Sequence, residues 1–310
     1  MVDGRSVMVS IKYKKMQAIG IDLGGTRIKG VLINDQGSIL HEIITETKEE
    51  NQQWKEDVRA TVEQLVQAST ETTVIGLSAP GIPNKENTAI QFLPDRLQGI
   101  EGFIWNNHLN AHTLVINDAI AALSAEAAFG TGRDCDHAVL VTIGTGVGGA
   151  IMIDKKIYQG AFQKAGHIGH MSVNMDGGPD ICGMPGSLEE AIGNYSISNR
   201  SRGRFNDTLA LLASVMQNDV EATVIWERSV KALAVSLASI SNILSPEKII
   251  LAGGITKAGD LLMQPLRTFM EEYEWRAGGN QMKIELATFS DKAGAIGAAA
   301  FALTNLKKVE

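Results

Sequence analysis

The sequence has almost no cysteine: Cys135 and Cys182 are the only two thiols in 310 residues. Two cysteines cannot build a disulfide framework, so a reducing compartment is expected. An excess of positive charge is also missing. Lys and Arg number 28 against 35 Asp and Glu, a formal net charge of −7, which argues against a general nucleic-acid or anionic-membrane binder. Long apolar runs are absent too. The longest, Val139 to Ile153, is broken by Thr142, Thr145 and its glycines and is too short and glycine-rich for a membrane span. Met1 to Gln17 carries Lys12, Lys14 and Lys15 but no apolar core with a cleavage site, so no signal peptide is read there. A soluble, cytoplasmic protein is expected. A Pro/Ser linker and low-complexity tracts are lacking as well, so domain boundaries have to come from other features.

What the chain has in quantity is glycine, 32 of 310 residues, about a tenth against a usual 7%. Composition is otherwise globular, with 44% hydrophobic and 20% charged residues, and the length suggests about two domains of ~150 residues. Ala18 to Asp22 and Gly30 to Asn34 flank the turn Gly24-Gly25 and read as a hairpin. Some 120 residues later the pattern recurs, with Val139 to Thr142, then Gly144-Thr145-Gly146, then Gly149 to Asp154. This duplication predicts two related domains facing each other. Trp54, Val58, Val62 and Leu65 predict a helix, and Thr73 to Leu77 a buried strand ending at Pro80-Gly81. Val230, Leu233, Leu237, Ile240 and Leu244 predict a helix stopping at Ser245-Pro246, followed by a strand Lys248 to Ala252 and another helix. Strands alternating with helices give an α/β fold. The expected division is residues 1–116 with about 297–310 as a smaller domain, and 117–296 as a larger one.

Chemistry concentrates at the glycine turns. In Asp22-Leu23-Gly24-Gly25-Thr26 the glycines let backbone N–H groups approach an anion, with Thr26 and Lys29 as further donors. Asp22 could hold a metal-bound water beside a phosphate; a plain hairpin turn with a solvated aspartate fits the same residues. Thr142 and Gly144-Thr145-Gly146 on the second hairpin could pinch a polyphosphate from the other side. Neither the P-loop nor the dinucleotide spacing is present. Gly253-Gly254 after a strand leaves room for a flat nucleoside, or marks a simple strand–helix corner.

Taken together, D-x-G-G-T, N-D opening a helix, G-T-G-x-G-G, G-x-I-G-H and A-G-G-I resemble the ROK family of sugar kinases, from about Ala18 to Ala302. The resemblance implies two duplicated ribonuclease-H-like domains of the actin/hexokinase type closing over a central cleft. It implies ATP and Mg²⁺, transfer to a hydroxyl (most often the 6-hydroxyl) of a hexose or N-acetylated amino sugar, and a homodimer. Polyphosphate replaces ATP in some members of the wider family. It places the general base at Asp118 and a sugar-binding asparagine at Asn117; a plain N-cap is the alternative reading of a carboxylate at a helix start. His167, His170, Glu189, Pro80 and Gly81 fall at sugar-binding positions. At the position of His167 many members carry glutamate.

Zinc-binding members carry C-x-C-G-x-x-G-C-x-E after the histidine. Here Asp180 and Ser187 stand in place of two cysteines, leaving His170 and Cys182, so no metal site and no zinc are expected. Pro80-Gly81 and Leu93-Pro94 match family loops near the sugar, and Arg96, Glu101 and Trp105 lie close by in sequence. His41, His108, His112, His137 and Cys135 match no ligand spacing, and Glu46 to Glu50 reads as a solvated face. Family repressors place a helix-turn-helix module before D-x-G-G-T. The 21 residues ahead of Asp22 are too few for one, so DNA binding is not expected. A catalytically silent sugar sensor of the same fold is the alternative to a kinase.

Overall fold

A computed structural model describes residues 16–71, 73–94 and 96–306. The lysine-bearing stretch at positions 12–15, expected to be no signal peptide, lies outside the described residues, as do the ends of the expected smaller domain.

The first hairpin forms as β1 (Gln17–Leu23) and β2 (Arg27–Asn34), extended by β3 (Ile39–Glu46). Helix α1 (Trp54–Ala68) returns the chain to β4 (Thr73–Ala79), which lies parallel to β1. A small ribbon of β5 (Ile82–Pro83) and β6 (Ile90–Phe92), then α2 (Trp105–Leu109), lead to β7 (Thr113–Asn117). Strand order is β3-β2-β1-β4-β7. Helix α3 (Asp118–Phe129) follows without a loop.

The second sheet repeats this plan. β8 (Ala138–Ile143), β9 (Val147–Ile153) and β10 (Lys156–Tyr158) form the meander. A helical stretch of α4 (Leu188–Ile192), α5 (Ile197–Arg200), α6 (Thr208–Met216) and α7 (Val220–Leu244) comes next. β11 (Lys248–Ala252), α8 (Asp260–Tyr273), β12 (Lys283–Leu286) and α9 (Ala293–Leu306) complete the chain. The order is β10-β9-β8-β11-β12, with β11 parallel to β8 and β12. The sequence repeat is therefore a repeat of sheet topology.

Packing follows from the residue pattern. Trp54, Val58, Val62 and Leu65 are spaced for one face of α1 and bury it on Ile19, Ile21 and Leu32 of the first sheet. Such a side chain contributes about 1.5–3 kcal/mol when fully buried. Val230, Leu233 and Leu237 of α7 cover Val139 and Val141 of the second sheet in the same way. Helix α7 is capped by Asp219 and ends at Ser245, in the left-handed region, just before Pro246. Helices α3 and α9 form a middle layer. Ala295, Ile296 and Ala299 of α9 lie on Ala18 and Val31 of the first sheet, while Ile120 and Leu123 of α3 lie with Leu140 and Ile250 of the second. An alanine-rich helix that is apolar all round suits burial between two sheets. Helix α9 starts at Ala293, four residues before the expected Gly297. A 3-10 turn, Gly254–Ala258, intervenes where the sequence predicted direct entry into a helix. No helix among the described residues is long and apolar enough to cross a membrane.

Candidate functional site

The N-termini of the two middle helices meet beside the first glycine turn. Asp118 is the first residue of α3, and Asn117 is its N-cap. The Ala119 N–H donates to Asn117 Oδ1 at 2.9 Å and to Asp118 Oδ1 at 2.8 Å, while Asn117 Nδ2 donates to the Gly81 carbonyl at 3.0 Å. Asn117 thus caps α3 while its amide ties the helix start to the Pro80-Gly81 turn. Asp22, the penultimate residue of β1, accepts the Ser78 hydroxyl at 3.2 Å from the neighbouring strand. Gly294, in the first turn of α9, lacks the β-carbon that would otherwise collide with the Asp22 carboxylate. Two helix dipoles therefore offset two carboxylates that repel each other.

Burial pushes Asp22 up to about 6, helped by the charge of Asp118 and opposed by Lys29 and Ser78. Asp118 opens to solvent through the cleft, yet protein crowds it on its other sides. That crowding raises its pKa, against the Ala119 N–H, His167, Arg96 and Asn117. Arg96 comes from an irregular loop; its Nη2 stands 2.5 Å from where a β-carbon on Gly25 would be. Gly25, Arg96, Asp118, Asp22 and His167 thus form one cluster. Thr26 is exposed beside it. Lys29 is otherwise engaged: its Nζ donates to the Asp291 carbonyl and sits 3.6 Å from that carboxylate.

A second cluster surrounds the second hairpin. The Gly148 N–H donates to Thr142 Oγ1 at 3.1 Å, so part of that hydroxyl's capacity is spent within the hairpin. The Gly144-Thr145-Gly146 turn is held from behind, its Gly144 and Thr145 carbonyls accepting from Asn194 and Tyr195 N–H at 2.9 and 3.0 Å. Gly253, at φ +96°, presses its backbone onto Ile143, which no side chain would allow. Gly144, Thr145, Gly254, Ile255 and Lys257 then line a cavity of about 740 Å³ with Thr208 and Leu212 of α6, a volume in the range of ligand sites. The wall from α6 carries no motif and went unread in the sequence.

The remaining expected site residues lie around the His167–Glu189 loop. His167 Nδ1 is 3.0 Å from the Lys164 carbonyl, and burial lowers its pKa. Its ring stacks near that of His170, with centroids 6.4 Å apart and planes 18° from parallel. Glu189 is buried; Oε2 accepts the Val147 N–H at 2.7 Å, and Oε1 has no partner among the described residues. Such an orphaned buried carboxylate oxygen is costly unless a ligand donates to it. Pro80 and Gly81 reach the cluster through the Asn117 bond. The glycines divide by task. Gly254 faces open space and Gly144 would meet only the Gly254 N–H, at 3.9 Å, whereas Gly149, Gly166 and Gly169 pack backbone against backbone. His108 is satisfied by Arg59 and the Lys55 carbonyl, and Cys135 is buried beside Asp134.

Comparison with known proteins matches this arrangement to one group. The family model described as "ROK family" matches residues 18–305. A glucokinase of Thermotoga maritima is 30% identical, covering 92% of this chain and 96% of that one. An N-acetylmannosamine kinase of Vibrio cholerae is 30% identical over 77% of this chain and 84% of its own length. A crystal structure of a ROK family glucokinase from Streptomyces griseus, in complex with glucose and AMPPNP, superposes with a TM-score of 0.76. It is 23% identical and covers 93% of this chain and 99% of that one. With its duplicated sheets, its paired carboxylates and a family match across nearly all of its length, this chain belongs to the ROK family.

Proposed function

We propose that the protein is a sugar kinase that transfers the terminal phosphoryl group of ATP, with Mg²⁺, to a hydroxyl of a hexose or N-acetylated amino sugar, the 6-hydroxyl by resemblance. The observation that carries this reading is the placement of Asp118. A carboxylate with a raised pKa, anchored by the Ala119 N–H and facing a cleft, is suited to take the proton from an attacking hydroxyl. Phosphoryl transfer asks the protein mainly for orientation and charge stabilisation. The glycine turns offer N–H donors to the phosphates, the cavity beside Gly254 and Leu212 takes the nucleoside, and Arg96 faces developing negative charge. Asn117, His167, His170 and Glu189 hold the sugar, with Pro80-Gly81 as the floor.

The residues fit a divalent cation: Asp22 and Asp118 repel each other, and a cation at Asp22 or on a water bound to it would relieve that repulsion. When bound, Mg²⁺ neutralises phosphate charge. The repeated sheet order supports two ribonuclease-H-like lobes, divided as residues 1–116 with about 297–310 against 117–296, closing to exclude water.

A coupled ADP-release assay over hexoses and amino sugars, with ATP and Mg²⁺, tests the reading; sugar binding without turnover throughout the panel favours the silent sensor. The same assay has an expected pH dependence. The base works only when deprotonated, and burial raises both carboxylates of the pair, so the acid limb of kcat/KM falls at a pH above the ordinary carboxylate range. The apparent value belongs to the coupled pair. A profile that stays flat down to pH ~5 contradicts the role of the pair.

A further inference from the structure

The loop after His170 is closed around a carboxylate. Asp180 Oδ1 accepts N–H groups of Cys182 and Met184 at 2.8 and 2.9 Å, and Oδ2 lies 2.9 Å from His170 Nδ1. Its side chain is fully buried. Burial alone would raise its pKa, but the hydrogen bonds from His170, Met184, Ser187 and Cys182 outweigh this and hold it below the usual carboxylate range. Zinc-binding relatives of this family would place thiolates at 180 and 187; here His170, Asp180 and Cys182 still bring one ligand atom each to within 4.8 Å of one another, but with a single thiol and no fourth donor among the described residues they fall short of the closed tetrahedral thiolate set. The Asp180 lone pairs are taken by N–H donors, and the Ser187 hydroxyl caps α4 by accepting the Glu190 N–H. Partial burial and the charges of Asp180 and Glu189 keep the Cys182 thiol protonated.

This closure has a consequence for His170. An ionised carboxylate only accepts, so in the neutral imidazole Nδ1 carries the proton and Nε2 keeps its lone pair. The Cys182 thiol, 3.6 Å from Nε2, is its present donor. A metal on Nδ1 would leave the proton on Nε2 and give the opposite polarity. His167 is fixed the same way. The Lys164 carbonyl can only accept, so neutral His167 also carries its proton on Nδ1 and presents Nε2 as an acceptor. Two nearly parallel imidazoles, one of them electrostatically coupled to Asp118, therefore carry lone pairs rather than protons on Nε2.

We propose that Asp180 is a positioning residue that replaces a metal in holding this loop and that fixes His170 as an Nε2 acceptor, so that the two histidines receive hydroxyl groups of a neutral sugar and disfavour an anionic one. The ligand part rests on the kinase reading above; the tautomer part does not.

Asp180→Asn is the decisive variant. The Asn carbonyl oxygen stays on the Cys182 and Met184 N–H groups, its NH₂ turns to His170 Nδ1, and the proton is forced to Nε2. Nitrogen-15 NMR of the full chain without sugar is expected to show His170 protonated at Nδ1 in the parent and at Nε2 in the variant. The sugar KM is expected to rise ~10–100-fold, with the nucleotide KM and melting temperature little changed. A parent His170 protonated at Nε2 overturns the proposal, as does an unchanged sugar KM in an active enzyme. So does one bound zinc per chain by elemental analysis. A joint loss of melting temperature and of both KM values would mark a purely structural residue and also overturns it. Should the parent phosphorylate no sugar, the kinase reading fails, while the NMR measurement still decides the role of Asp180.

Discussion

Asp118→Ala turns sugar over roughly 10²–10⁴-fold more slowly than the parent chain, while melting at the same temperature or slightly above it at neutral pH. The two halves of this expectation share one cause. The protein crowding Asp118 raises its pKa although one side is open to solvent, so keeping it ionised costs the folded chain some stability. A carboxyl with a raised folded pKa contributes stability only while protonated, and that contribution is lost as the pH rises through the raised value. At neutral pH, removing the carboxylate relieves its desolvation and its repulsion with Asp22. The helix start does not depend on it, because Asn117 Oδ1 already accepts the Ala119 N–H. Loss of turnover without loss of stability is the signature of a group kept for chemistry. The KM values for sugar and nucleotide should move little, since Asn117 and the glycine turns remain. The coupled assay and a thermal melt on the same preparation check both halves. Turnover within about threefold of the parent would remove Asp118 from the role of base.

The parts of the fold that were legible in the sequence are those written in local pattern. The two hairpins announced themselves by apolar runs around glycine turns, α1 and α7 by their helical stripes, and Asn117-Asp118 by a polar pair between a strand and an alanine-rich helix. The illegible parts depend on distant partners. Arg96 belongs to a loop without periodicity and gains meaning only by lying over Gly25. Leu212 faces a cavity whose other wall is some 40 residues further on, at Gly254. Asp180 read as a lost zinc ligand, and its bonds to His170 and to the backbone appear only once the loop is closed. Glycine misled in part. Its excess pointed to phosphate and sugar, and Gly254 does face open space with Gly144 nearly so, but Gly149, Gly166 and Gly169 serve packing. Gly294 and Gly297 also hid the true start of α9, because glycine is a poor helix former by itself.

Gly297→Ala is expected to destabilise the protein, although the same change in an isolated helix would stabilise it by about 1 kcal/mol. The reason lies in how close α9 comes to its neighbours. A β-carbon at Gly297 would overlap the carbonyl of Ala121 in α3. On the other side, β-carbons at Gly20 and Gly76, register partners on β1 and β4, would overlap the carbonyls of Ala295 and Ala298. Helix α9 is thus held backbone to backbone on both sides, and neither wall can yield by rotating a side chain. Overpacking of this kind costs about 1–3 kcal/mol or more, which outweighs the gain in helix propensity. A loss of about 2 kcal/mol corresponds to a melting temperature lower by roughly 4–8 °C in a domain of this size. Gly20→Ala and Gly76→Ala should behave alike. Gly178→Ala, where a β-carbon meets nothing within 4 Å, serves as the control and should melt with the parent. Because α3 and α9 are also the helices whose N-termini carry Asp118 and approach Asp22, displacing α9 shifts one carboxylate against the other. Turnover should therefore fall in Gly297→Ala even at temperatures where the chain remains folded. A variant that melts and turns over like the parent would show that α3 and α9 can separate freely, and the rigid middle layer would have to be abandoned.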